Sequence, residues 1–312
     1  MHAKTTRFLV ALLCCAWSVG AQAATKTATT KPEPKLGAAE LIAQSKPQDW
    51  RGLDPENTLL MQLDSGQVII ELAPRFAPQH SANIRTLAKE RYFDGLAVLR
   101  VQDNFVTQWG DPDAENAERA KPLGTAAKHV PAEFDVALKG LPLTRLPDAD
   151  GWAPVTGFVD GMPVAADPRK GRAWLAHCYG MVGAGRNNPP DSSTGAELYV
   201  VIGQAPRGLD LNITLVGRVL KGMELLSGLP RGGPNMGFYD KPEQRTAIRS
   251  TQLLADLPEA ERPALQVLRT DTPLWQQLLA ARRDRREEWF VHNPGHINLC
   301  NATVPVRNQP AP

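Results

Sequence analysis

The chain has 312 residues, enough for one large domain with extensions or for two small domains. Its 35 Lys and Arg against 33 Asp and Glu leave a formal net charge of +2, so no field of one sign is available to steer nucleic acid or an anionic membrane surface.

At the N-terminus, Lys4 and Arg7 precede an apolar stretch from Phe8 to Val19, which is followed by Ala21-Gln22-Ala23. This pattern predicts a secretory signal peptide over residues 1–23, cleaved after Ala23, and hence a periplasmic protein. The stretch falls short of the roughly 20 residues a membrane span needs, and no later one is longer, so no membrane span is expected. Cleavage removes Cys14 and Cys15 and leaves Cys178 and Cys300. An even pair in an exported chain predicts one disulfide; two separate buried thiols are the alternative.

Residues 24–57 form a linker and N-terminal extension, with 24–37 a disordered tether of Thr, Lys and Pro. A domain is expected over 58–256. In LLMQLDSGQVIIEL, two apolar runs flank Asp64-Ser65-Gly66-Gln67, which signals a β-hairpin. Next comes a helix, with Pro78 near its start and Ile84, Leu87 and Ala88 at helical spacing. A strand is expected over 98–108. Residues of about 112–172 are rich in proline and read as a long irregular insertion. It contains one hairpin, where Asp160-Gly161 separates Gly157-Phe158-Val159 from Met162-Pro163-Val164. RAWLAHCYGMVGAG and AELYVVIG read as buried strands, ITLVGRVLKGMELLSGL as a strand turning into a short helix, and RTAIRSTQLLADL as a closing strand. In the C-terminal extension, 257–312, Thr272 is a good N-cap and Pro273 a good first residue for a helix through LWQQLLAARRDRREEWF. Its arginines alternate with Asp284, Glu287 and Glu288, as a solvated face does.

Several chemistries are set aside. His292 and His296 have metal-like spacing, but Pro294-Gly295 between them prevents a shared helix. GMVGAGR spells neither a phosphate loop nor a dinucleotide fingerprint. His177 and Cys178, as strand neighbours, would point to opposite faces and so could not act as a dyad.

QVIIELAPRFAP, YFDG, RVQDNFVTQWGDP, TGAELYVVIG and VGRVLKGMELL follow one another between residues 58 and 256. In that order they resemble the cyclophilin-type peptidyl-prolyl cis-trans isomerases. The resemblance implies a mainly β fold, a closed eight-stranded antiparallel barrel capped by two helices. It also implies a catalytic Arg100, oriented by Gln108, with Phe105, Val106 and Tyr199 lining the pocket for a proline ring. Gly185, Arg186, Glu197 and Leu209 fall at the remaining substrate-binding positions. The implied chemistry requires no metal and no cofactor, because weakening amide resonance needs only a fixed cation or donor near the prolyl nitrogen.

The chain also departs from the family. Val98-Leu99 replaces its Phe-His, Trp109 a glycine, Arg186 an asparagine, Glu197 a glutamine, Gly208 a tryptophan and Ile213 a histidine. The reading is an exported isomerase acting on proline-containing polypeptides. A proline-recognising chaperone or binding module of the cell envelope, with little turnover, is the alternative; Arg100 favours the enzyme and the lost pocket residues favour the binder. A third reading is an envelope scaffold that meets a protein partner through the insertion or the C-terminal helix.

Overall fold

The computed structural model describes residues 36–310 apart from Ala149. The expected signal peptide, its cleavage point and nearly all of the 24–37 tether lie outside the described residues.

Eight strands close into an antiparallel barrel: β1 (Thr58–Leu63), β2 (Gly66–Leu72), β3 (Ala97–Val101), β4 (Val106–Gly110), β5 (Met181–Ala184), β6 (Leu198–Val201), β7 (Leu215–Lys221) and β8 (Thr246–Leu253). Around the barrel their order is β5-β6-β4-β3-β8-β1-β2-β7, with β7 pairing back to β5. Side chains alternate between faces, and here both faces are covered. Leu59, Met61, Val68 and Ile70 enter the central core, while Leu60 and Ile69 pack outward against Leu254 and Leu265. That double burial explains the nearly unbroken apolar run in LLMQL. Asp64 and Ser65 form the two-residue connection, since Leu63 pairs with Gly66.

The helices are α1 (Ala38–Ala43), α2 (Pro78–Lys89), α3 (Met223–Ser227) and α4 (Pro273–Arg283). Ile84, Leu87 and Ala88 of α2 and Leu226 of α3 belong to the barrel core, so these two helices cap it. Ala77 gives α2 no capping side chain. Glu133, from the insertion, takes over that role, accepting from the backbone N–H groups of Gln79 and His80 at 2.9 Å each.

Three expectations need correction. The stretch 98–108 is two strands rather than one, turned through residues 102–105 with Asn104 in the left-handed region at φ 52°. RAWLAHCYGMVGAG also divides: Arg172–Leu175 joins a sheet in the insertion and Met181–Ala184 joins the barrel. His177 and Cys178 lie between those strands, so strand alternation does not govern their directions. The C-terminal helix stops at Arg283 instead of running to residue 290, because after Ala281 the chain holds only Arg, Asp and Glu up to Trp289, and so has no apolar side chain to bury against the core over residues 282–288.

Order in the insertion exceeds the single hairpin expected. Val136–Ala137, Arg172–Leu175, Met162–Asp167, Val155–Val159 and Thr144–Arg145 lie side by side as a five-stranded sheet. The hairpin is present at its centre, with Asp160 and Gly161 at φ 51° and 83°, the paired positive values of a tight primed turn. A further sheet joins Trp50–Gly52, Leu265–Leu268 and Val306–Asn308. Thr272 caps α4, accepting from Trp275 N at 3.3 Å. Phe158 of the insertion meets Trp275 of α4 edge-to-face at 5.0 Å, in a core that also holds Leu278 and Leu299.

Cys178 and Cys300 are joined by a disulfide, with Cα atoms 4.9 Å apart, so the separate-thiol alternative does not hold. The bridge spans 122 residues, for which chain entropy gives a stabilisation of about 4 to 5 kcal/mol. Protein lacking residues 1–23 should therefore show no titratable thiol when denatured without reductant. Reduction should speed amide exchange across residues 257–310 before the barrel melts. Two thiols per chain, or simultaneous loosening of barrel and extension, would contradict this.

Candidate active site

Strand pairing places the site residues in one row. Arg100 on β3 lies opposite Gln108 on β4, Gln108 opposite Tyr199 on β6, and Tyr199 opposite Gly183 on β5. Directly opposed residues share a face of the sheet, and here it is the outer one. Trp109, the neighbour of Gln108, points the other way and is buried in the barrel core.

The guanidinium of Arg100 is held from several sides. Nε donates to the carbonyl of Met236 at 2.6 Å, Nη1 donates to Gln108 Oε1 at 2.9 Å, and Nη2 donates to Gln102 Oε1. The rings of Phe105 and Phe238 lie 5.5 and 5.2 Å from its central carbon, within range of a cation–π attraction. Burial draws Arg100 below the usual arginine value while the charge of Glu197 opposes that shift. A guanidinium stays protonated in proteins regardless.

Sequence reasoning missed Gln102, Met236 and Phe238. The last two belong to RGGPNMGFY, which lies along β3 where β8 pairs only with Ala97 and Val98. Val101 N donates to Gly237 O at 2.8 Å and Gly232 N donates to Val101 O at 2.9 Å. Gly237 has φ 80°, and a Cβ there would stand 2.6 Å from the Gln102 Cα, so only glycine permits the approach. The glycine spacing of this segment was the available signal.

Gln108 passes the row on to Glu197, its Nε2 donating to Glu197 Oε1. Beside them, Phe105, Val106, Tyr199, Val201 and Ile213 form one apolar cluster on the outer face. Gly183 leaves room for the Tyr199 ring, since a Cβ there would come within 2.3 Å of it. Gly185 lies against the Glu197 carboxylate, and its N–H donates to the Glu197 carbonyl at 2.8 Å. Arg186 turns its guanidinium onto the carbonyls of Asn187, Asn188 and Asn212. Leu209 sits half-buried in the turn Arg207–Leu209, upstream of Ile213, and does not join the apolar cluster. A Cβ at Gly208 would meet nothing within 4 Å, so the place of the family's tryptophan is open.

His177, set aside from sequence, stands behind the pocket. Its Nε2 is 2.9 Å from the Tyr199 hydroxyl and its Nδ1 is 3.0 Å from Asp210 Oδ1. Burial pushes the Tyr199 phenol up, and the nearby Asp210 charge adds to the rise. Asp210 is itself pushed up by burial, but bonds from His177 and the charge of Arg207 outweigh that and hold it below the ordinary carboxylate value.

A guanidinium fixed beside an apolar pocket, on the outside of a closed barrel, suits a site that grips a proline ring and polarises its amide. The family model for cyclophilin-type peptidyl-prolyl cis-trans isomerases matches residues 58–253. Probable peptidyl-prolyl cis-trans isomerases of Brucella suis and Brucella melitensis are each 28% identical over 199 residues, covering 63% of this chain and 84% of theirs. The crystal structure of cyclophilin AquaCyp293 from Hirschia baltica is 26% identical, with a TM-score of 0.66 over 86% of this chain and 96% of its own. The chain belongs to the cyclophilin-type peptidyl-prolyl cis-trans isomerase family and is an enzyme of that activity.

Glu197 brings a carboxylate into this site. Burial raises its proton affinity and nearby Glu115 adds to the rise, while the Gln108 bond and the Arg100 charge pull the other way; the net shift is upward from 4.5. A carboxyl raised on folding stabilises the fold below its unfolded value and loses that contribution as pH rises through the folded value. Glu197→Gln should therefore melt roughly 1 to 3 °C above the parent at pH 7. The gap should close as pH falls below about 4.5, in thermal melts followed by circular dichroism. A lower melting temperature at pH 7 would contradict this account.

Proposed function

We propose that Arg100 is the catalytic residue of the isomerase and that the chain works as an exported folding enzyme on proline-containing polypeptides. An X-Pro bond isomerises across a barrier of about 18 to 20 kcal/mol, because rotation breaks amide resonance. A cation and donor beside the prolyl nitrogen stabilises its lone pair as the bond twists, and each 1.36 kcal/mol so gained is about tenfold in rate. The observation that carries this assignment is the way Arg100 is fixed. Met236, Gln108 and Gln102 engage three of its five N–H donors, so that two remain without a partner among the described residues and are available to a substrate held over Phe105, Val106 and Tyr199. Gln108 orients the guanidinium and meets the substrate backbone; Gly185, Arg186, Glu197 and Leu209 border the bound chain.

Arg100→Ala should lower kcat at least tenfold in a protease-coupled assay on a proline tetrapeptide. Arg100→Lys, which keeps the charge but not the fork, should fall between that variant and the parent. Near-parent turnover in a folded Arg100→Ala protein would remove this arginine from the mechanism.

Export rests on the signal pattern at residues 1–23 and on the Cys178–Cys300 bridge, which suits an oxidising compartment. The insertion over about 112–172 and α4 are the surfaces assigned to an envelope partner, because neither contributes to the catalytic row. Expressed with its own N-terminus in a Gram-negative host, the chain should appear in the periplasmic fraction beginning at Ala24. Cytoplasmic protein that retains Met1 would refute the export assignment.

A further inference from the structure

Tyr199 supplies a wall of the apolar pocket, yet unlike its neighbours there it carries a polar atom. That hydroxyl is buried and has one partner among the described residues, Nε2 of His177 at 2.9 Å. Asp210 accepts from the ring's other nitrogen, Nδ1, at 3.0 Å and also from the backbone N–H of His177 at 3.0 Å. A carboxylate can only accept, so Nδ1 carries a proton; in the neutral imidazole Nε2 then offers a lone pair, to which the Tyr199 hydroxyl donates. The two rings lie nearly parallel, 10° apart, with centroids at 6.3 Å.

Asp210 is held in turn. Trp174 Nε1 donates to its Oδ2 at 3.2 Å, Arg207 Nε donates to the same oxygen at 2.6 Å, and Arg207 Nη1 donates to Asp150 Oδ2 at 2.6 Å. Asp150 lies within the insertion, and Trp174 is on its strand Arg172–Leu175. On the paired strand, Gly183 lets the Tyr199 ring lie close against its backbone, since a Cβ there would meet the ring at 2.3 Å. Apolar packing holds the faces of the ring, and the bond to His177 is the polar contact that holds its hydroxyl end.

We propose that His177 is a positioning residue of the isomerase: backed by Asp210, it anchors the Tyr199 hydroxyl, sets the shape of the pocket and makes the insertion a determinant of substrate binding. This rests on reading the Phe105, Val106 and Tyr199 cluster as the seat of the proline ring. Arg100 is held by a separate set of partners, so losing the anchor should weaken substrate binding and leave the chemical step in place.

The test measures kcat and KM separately for a proline tetrapeptide, with near-UV circular dichroism checking the fold of each variant. His177→Leu should raise KM about five- to tenfold, the effect expected when a buried hydroxyl loses its partner, with kcat changed less than about twofold. His177→Gln, whose amide can still accept from Tyr199, should stay within about twofold of the parent in both. Tyr199→Phe keeps the ring and loses only the bond. The double variant His177→Leu/Tyr199→Phe should be no worse than His177→Leu alone, because both changes break one interaction. An unchanged KM in His177→Leu, a loss confined to kcat, or single effects that multiply in the double variant would each overturn the proposal. If His177→Leu does not fold, Tyr199→Phe and His177→Gln decide it: a raised KM in the first and near-parent values in the second support it, and any other pair overturns it. Phe105→Ala separates the two readings. A raised KM there beside an unaffected His177→Leu defeats the anchor alone, whereas an unaffected Phe105→Ala defeats the pocket and the anchor together.

Discussion

Strand register is the constraint on which the site depends. Arg100, Gln108, Tyr199 and Gly183 come from four strands and 100 residues of chain (100–199), yet pairing sets them side by side on the outer face of one barrel. A slip of one residue between β3 and β4 would send Arg100 or Gln108 to the opposite face. Register in turn is fixed by the barrel core, because Trp109 and Val101, the strand neighbours of Gln108 and Arg100, must face inward for the interior to fill. The geometry of the row is thus a by-product of apolar packing behind it.

Polar groups in the row are satisfied in pairs, which keeps a half-buried cation tolerable. Arg100 meets two side-chain oxygens, one carbonyl and two ring faces, and Gln108 both accepts from it and donates to Glu197. Gln108 can serve both neighbours only because an amide has both an acceptor and donors. The acidic Glu197 places a carboxylate close to the Arg100 guanidinium, and this is the clearest electrostatic difference between this site and one with glutamine at the same position.

The insertion and the C-terminal extension are part of the same folded body as the barrel. Glu133 caps α2, Phe158 packs on Trp275, and Cys300 is tied to Cys178, the residue next to His177. The first satisfies helix N–H donors that the barrel sequence leaves uncapped, the second covers an apolar face of the insertion's own sheet, and the third ties down the C-terminal tail.

Local pattern in the sequence determined a good deal. The hairpin at Asp64-Ser65, the apolar stripe of α2, the Thr272 cap and the turn at Asp160-Gly161 all follow from rules that act within a few residues, and the structure contains each of them. The order of the family motifs placed Arg100, Gln108, Phe105, Val106 and Tyr199 in a common site, and the row and cluster bring them together. Tertiary structure alone decided what holds those residues. Met236 reaches Arg100 across 136 residues, His177 meets Tyr199 across 22, and Asp210 meets His177 across 33. None of these separations leaves a periodic trace. Hydrophobic alternation reports which way a side chain faces within its own strand, whereas which distant backbone lies opposite is settled only when the barrel closes and the sheet of the insertion packs beside it.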